Sequence, residues 1–348
     1  MNFKYKMRQF AKLFIPIAIL TIFIGTSCNK NDDDDTDSEY MTGSISFSLP
    51  GYIIASSELQ LTASGITEPA DGITYNWTTT GFSVDSVKGQ NIAITAPATC
   101  GEYSITVQAT LDGYYSESST VETIVIDPSS ESSFSGVING TKSIVDQRDG
   151  KRYYYSTIGD LDWFTSNLSW NGVGKSYGDA DALSYIFGRL YSWNEATGGV
   201  SSSVFGEGPQ GICPAGWSVP TEKDWENLAK VLNGSSYLPF DSNWPGLGGK
   251  VTVNAQLNSG NIWKYSPNNN KDNLYFWNAL PGGNISDNLS RYSNINQYGF
   301  WWSSTEKDAS NVEYRYIYFD SADFPYNFTG KNYFGASVRC VRKISNKE

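Results

Sequence analysis

The stretch "CPAGWSVPTEKDW", Cys213–Trp225, reads in two ways. It offers a cysteine beside two acids, as a nucleophile site would, and it also carries the marks of a helix start. Thr221 with Asp224 three residues on is a capping-box variant, in which each side chain satisfies a backbone donor at the helix N-terminus. Trp225, Leu228, Ala229 and Leu232 then recur at helical spacing, and Asn233-Gly234 ends the run. Pro220 fits just outside the first turn. Glu222 and Asp224 favour the positive end of the helix dipole, so neither acid needs a catalytic role.

Cys213 remains. The 348-residue chain has no histidine, which removes Ser-His-Asp and Cys-His catalysis and His-liganded zinc together. No Lys flanks Cys213 to lower its pKa. Cys340, in "GASVRCVRK", is the one other cysteine of this half of the chain. In an exported protein the pair is expected to form a disulfide.

Export is expected from the N-terminus. Lys4, Lys6, Arg8 and Lys12 precede an apolar run of about a dozen residues, too short to span a bilayer comfortably. The run ends in Gly25-Thr26-Ser27 before Cys28. The pattern resembles a bacterial lipoprotein signal, residues 1–27, whose cleavage leaves Cys28 as the lipid-bearing N-terminus. Residues 28–42 hold "NKNDDDDTDSEY", a like-charge block that reads as a disordered tether. Asp32, Asp33, Asp34 and Asp35 also resemble the acidic export signal of Bacteroidota surface lipoproteins. The expected location is therefore the extracellular face of the outer membrane. Loss of residues 1–27 removes four basic groups and no acid, taking the formal charge from −11 to −15. Nucleic acid is not an expected partner of so acidic a chain.

Residues 43–128 alternate in short runs, "SISFSL", "SELQLTAS", "ITYNWTT", "FSVDSV", "NIAITA", "EYSITVQAT" and "VETIVI", separated by turn residues. This is the pattern of an all-β sandwich. It resembles the PKD-type and Ig-like domains of bacterial surface proteins, with Trp77 placed as a buried strand tryptophan. Cys100 has no evident partner and is expected reduced. Residues 129–133 form a Ser-rich linker.

Residues 134–345 differ in character: ten of the 11 tryptophans lie between Trp163 and Trp302. Asp149-Gly150 signals a tight hairpin turn. Leu183, Ile186, Phe187, Leu190 and Tyr191 recur at helical spacing, with Gly198 as the stop. "VDQRDGKRYYYSTIGDLDWFTSNL", "GRLYSWNEA", "CPAGWSVPTEKDW", "NALPGG", "WWSST" and "GASVRCVRK" occur in the order of the major paralogous domain first named from Fibrobacter succinogenes. Over roughly residues 140–343 the chain resembles that family. The resemblance implies an α+β fold similar to the C-type lectin domain, distantly related to formylglycine-generating enzymes. The calcium triplet of true C-type lectins is missing, and "FWNAL" carries Ala279 where an Asp would stand. Formylglycine-generating enzymes need two nearby thiols late in the fold, and only Cys340 is present there. No catalytic residue, metal or cofactor is expected.

What remains is a binding surface. The loops from Gly234 to Phe300 are rich in Asn, Gly and aromatics, and rings beside amides suit sugars. Trp263, Trp277, Trp301 and Trp302 lie at family motifs and are expected in the core. Trp244, Tyr265, Tyr292 and Tyr298 are the expected ligand-binding residues. The expected partner is a glycan or a surface protein; the alternative is a structural or fimbrial-type assembly subunit.

Overall fold

The computed structural model describes residues 38–264 and 270–344. The chain divides into two compact units. One runs up to Gly51 and includes Glu58–Ala96 and Glu102–Thr123; the other comprises Tyr52–Ser57, Pro97–Gly101 and the chain from Ile124 onward.

The first unit is all strand. Thr74–Thr79 pairs antiparallel with both Ser86–Lys88 and Gly101–Thr110, and Glu58–Thr62 pairs with Asn91–Thr95. The alternation works as the sequence indicates: Ile105, Val107 and Ala109 are buried, as are Ile92 and Ile94. Trp77 lies among them, its indole N–H donating to the Gly89 carbonyl at 2.8 Å. Cys100 is free and half-buried.

The second unit departs from the expected α+β, lectin-like arrangement. The protein is mostly β-sheet, 40% strand against 11% helix, distributed over many small sheets. Its helices are α1 (Asp181–Phe187), α2 (Trp193–Thr197), α3 (Glu222–Leu232) and α4 (Leu247–Val251). The expected helix through Leu190 and Tyr191 breaks at Gly188, which adopts φ 73° and ψ −161°. A Cβ there would come within 2.6 Å of Asn167 Cβ, so only glycine fits. Tyr191–Ser192 is instead a short strand, and a capping box between Ser192 and Glu195 starts α2 afresh. The hairpin at Asp149-Gly150 is also wider than expected, since the last ladder pair is Val145 with Arg152.

Helix α3 forms as its sequence indicates. Thr221 and Asp224 make a reciprocal capping box, and Trp225, Leu228, Ala229 and Leu232 are buried. Burial raises the Asp224 carboxyl above its ordinary value, opposed by hydrogen bonds from Thr221 and Gly206.

A seven-stranded sheet forms the centre of this unit, built around Tyr298–Glu306 and Asn311–Tyr318. Side chains alternate across it. Trp301 joins Trp163, Trp225, Trp244, Trp263 and Trp277 in one buried cluster, while Trp302 joins Trp193, Trp217 and Tyr191 in another. The core expected of Trp263, Trp277, Trp301 and Trp302 is present, each at most 1% exposed.

Polar side chains hold this core in register. The fully buried Arg339 guanidinium donates to Asn167 Oδ1 at 2.7 Å and to the carbonyls of Phe164, Trp277 and Asn278. It also stacks 4.1 Å from the Trp277 ring centroid. Asn167 Oδ1 accepts Trp301 Nε1 as well, at 2.8 Å, while its amide donates to Phe187 O and Ser337 Oγ. Asn278 donates to the carbonyls of Ile138, Thr165 and Phe276 and accepts the Ile138 N–H.

The expected disulfide is present: Cys213 and Cys340 are bonded, with Cα atoms 5.8 Å apart and a sequence separation of 127. A loop of that length removes about 5 kcal/mol of unfolded-state entropy in the chain-entropy model. Reduction is expected to lower the urea midpoint strongly, and tryptic mapping without reductant should give a Cys213–Cys340 peptide. An unchanged midpoint after complete reduction would contradict this role.

Candidate functional site

Tyr298–Glu306 and Asn311–Tyr318 place Tyr298 opposite Tyr318, Phe300 opposite Tyr316 and Trp302 opposite Tyr314. All six rings share one sheet face, because strand side chains alternate with period two. Ring centroids lie 4.6 Å apart for Tyr298–Tyr318, 5.3 Å for Tyr298–Phe300 and 5.9 Å for Phe300–Tyr316. Phe334 closes one end, 5.0 Å from Tyr314 and 5.8 Å from Trp302. Trp302 is fully buried there, whereas Tyr298, Tyr316 and Tyr318 are only half-buried.

The open end of this row is the floor of a cleft of about 430 Å³. Its rim adds Asn243, Ser321, Asp323, Pro325 and Asn327. The rim is pinned by backbone. Asp323 Oδ1 accepts the Gly246 N–H at 3.0 Å, Ser321 Oγ accepts the Asp323 N–H at 3.1 Å, and the Pro325 carbonyl accepts the Tyr316 N–H at 3.0 Å. Burial raises the Tyr298 phenol above its ordinary value, with the neighbouring Tyr318 adding to the effect, and burial pushes Tyr314 up to about 12. The phenols of Tyr298 and Tyr314 therefore stay protonated at neutral pH and can donate as well as accept. The arrangement offers apolar ring surface beside hydroxyl, amide and carboxylate groups, suited to a ligand with C–H faces and many hydroxyls.

Residues 157–342 match the family model of the Fibrobacter succinogenes major domain. That is more than half of the 348-residue chain. The chain belongs to this family. No curated protein matches it. The Fibrobacter succinogenes major domain accounts for both the tryptophan core and the cleft, whose lining residues all lie within the matched span.

Of the expected ligand-binding residues, Tyr298 lines the cleft. Trp244 does not reach solvent: it is 0% exposed, its indole N–H bonds the Pro239 carbonyl at 2.8 Å, and its ring covers the Arg315 guanidinium. A ring with no free face cannot stack on a ligand, so the binding role expected for Trp244 is replaced by a core role. Tyr292 is half-buried away from the cleft lining, packed 5.4 Å from Tyr177 with its hydroxyl donating to the Asp179 carboxylate. Burial and that hydrogen bond raise its phenol. Tyr265, Cys28 and Asp32 to Asp35 lie outside the described residues. Among the described residues, no three His, Cys, Asp or Glu side chains gather as metal ligands.

The aromatic residues missed from sequence are Phe300, Tyr314, Tyr316 and Tyr318, and the rim residues Asn243, Ser321, Asp323, Pro325 and Asn327 were missed as well. A signal was present in "EYRYIYF", where tyrosines at every second position mark one sheet face.

Proposed function

We propose that this protein is a lipoprotein of the outer-membrane surface whose C-terminal domain binds glycan in the tyrosine cleft, without catalysing a reaction. The observation that carries the binding half is the row of half-buried Tyr298, Tyr316 and Tyr318 over buried Phe300, lining a cleft with Asn243, Asp323 and Asn327. Rings stack on the C–H faces of sugars, and the rim supplies directional partners for hydroxyls. A binding rather than enzymatic role is supported by the chemistry of the chain. It lacks histidine, and Cys213 and Cys340 are committed to a disulfide. The surface location is supported by the Cys28 signal pattern and the acidic run Asp32 to Asp35.

One observation favours the assembly-subunit reading. Tyr326–Gly330 ends the seven-stranded sheet, paired among the described residues only with Asn311–Tyr318, and carries Phe328 at 44% exposure. An open strand edge can template pairing with another chain. A glycan array separates the two, because an assembly subunit gives no pattern on it.

Tyr298→Ala and Tyr318→Ala are expected to weaken glycan binding about tenfold each, equivalent to ~1.4 kcal/mol, with little change in melting temperature. Trp244→Ala should do the reverse, costing about 3–5 kcal/mol of stability. Binding unaffected by both tyrosine changes would sink the assignment of the site. For location, Cys28→Ala should release the protein from membranes, since acyl chains supply the anchor. Alanine at Asp32 to Asp35 should keep the lipid and lower protease access on whole cells. Outer-membrane retention of Cys28→Ala would refute lipid anchoring.

A further inference from the structure

The cleft has a charge character that its aromatic floor alone does not convey. Among its lining residues Asp323 is the one acidic side chain; the others are tyrosines, Phe300, Asn243, Ser321, Pro325 and Asn327. No Lys or Arg lines it. Cations near these residues in sequence are engaged elsewhere: Lys331 pairs with Glu306 at 2.7 Å, and Lys307 rests 4.4 Å from the Phe328 ring centroid. Arg315 alternates to the opposite sheet face, where the carbonyls of Phe240, Ser242 and Phe324 receive its guanidinium. Lys264 rests over the Phe319 ring at 5.2 Å. The chain as a whole carries a formal charge of −11, so no distant excess of positive charge offsets the carboxylate.

Asp323 is also fixed in place. Its Oδ1 holds the Gly246 N–H at 3.0 Å and its own N–H is held by Ser321 Oγ at 3.1 Å. A carboxylate accepts about four hydrogen bonds, so one backbone donor leaves most of its capacity free. Sugar hydroxyls are good donors to such a group, and a charged acceptor makes the bond stronger than a neutral one. A ligand carboxylate or sulfate at the same place meets like charge without a cation to pair with, and selectivity by repulsion is a general device of binding sites.

Resting on the glycan-binding reading of this cleft, we infer that it selects uncharged glycans and rejects uronic-acid, sialylated and sulfated ones, with Asp323 as the discriminating residue. Asp323 is the hydroxyl acceptor for a neutral sugar and the repelling charge for an acidic one.

The test is an array that pairs neutral oligosaccharides with acidic counterparts on the same backbones, probed with the full chain and with Asp323→Asn. Asparagine keeps an oxygen for the Gly246 N–H, and matched melting temperatures establish that the variant is folded. Neutral glycans should be bound, with acidic counterparts at least about tenfold weaker through like-charge repulsion. Asp323→Asn should narrow that gap from both sides. In the unmodified protein, raising salt from about 0.05 M to about 0.5 M should also narrow it, because the screening length shortens. Acidic glycans bound as tightly as neutral ones, or a gap insensitive to both salt and Asp323→Asn, would overturn the inference and leave glycan binding standing. An array blank for neutral and acidic glycans alike would overturn the glycan reading itself, and the selectivity with it.

Discussion

A buried cation, Arg339, has no counter-ion among the described residues. Arg339 is 1% exposed, and its guanidinium is received by one amide oxygen and three backbone carbonyls. Burial lowers the proton affinity of that guanidinium from its ordinary value. A guanidinium nonetheless keeps its proton in proteins, so the cost of desolvation must be met by the partners around it. Those partners come from distant parts of the chain, at Phe164, Asn167, Trp277 and Asn278. The charge is satisfied only when Phe164–Asn167 and Trp277–Asn278 both converge on Arg339, which ties three stretches of sequence to one arrangement. The planar five-donor fork of arginine suits this task, and a lysine ammonium would not match it.

The tryptophans depend on that arrangement. Trp301 donates to the same Asn167 oxygen that receives Arg339, and Trp277 lies under the guanidinium. With Trp301 fixed on one face of its strand, alternation sends Phe300 and Trp302 to the other. The strand Asn311–Tyr318 behaves alike, with Arg315 and Ile317 turned to the tryptophan core and Tyr314, Tyr316 and Tyr318 to the cleft. The cleft floor is thus the reverse side of the core. Its rings are held by the backbone of a sheet whose other face is packed solid, and this spares much of the ordering cost of a loop-borne site.

Local signals in the sequence were legible where local physics decides the outcome. Helix α3 starts and ends where its caps stand, and the disulfide joins the two cysteines of the C-terminal half of the chain. The α+β expectation failed because the protein is mostly strand, spread over many small sheets; the expected helix through Tyr191 failed at Gly188, where a helical spacing of apolar residues continued through a position whose backbone is not helical. The contact that forbids a Cβ there comes from Asn167, remote in sequence, and periodicity does not register it. Trp244 misled for a related reason: its neighbours Asn243, Pro245 and Gly246 read as an exposed loop, yet Arg315 and Phe324 cover the ring. Asn167, Asn278 and Arg339 look like surface residues by type, and nothing in their immediate sequence shows that they satisfy one another in the interior.

The most direct test of this account is a double-mutant cycle in urea between Asn167→Ala and Arg339→Met. Each single change leaves buried partners unsatisfied, and each should destabilise by more than about 1 kcal/mol. Because the two side chains share a hydrogen bond and a set of partners, the double variant should lose less than the sum, with a coupling between about 0.5 and about 3 kcal/mol. Additive losses, or an Arg339→Met variant as stable as the parent, would contradict the claim that this buried cation organises the core.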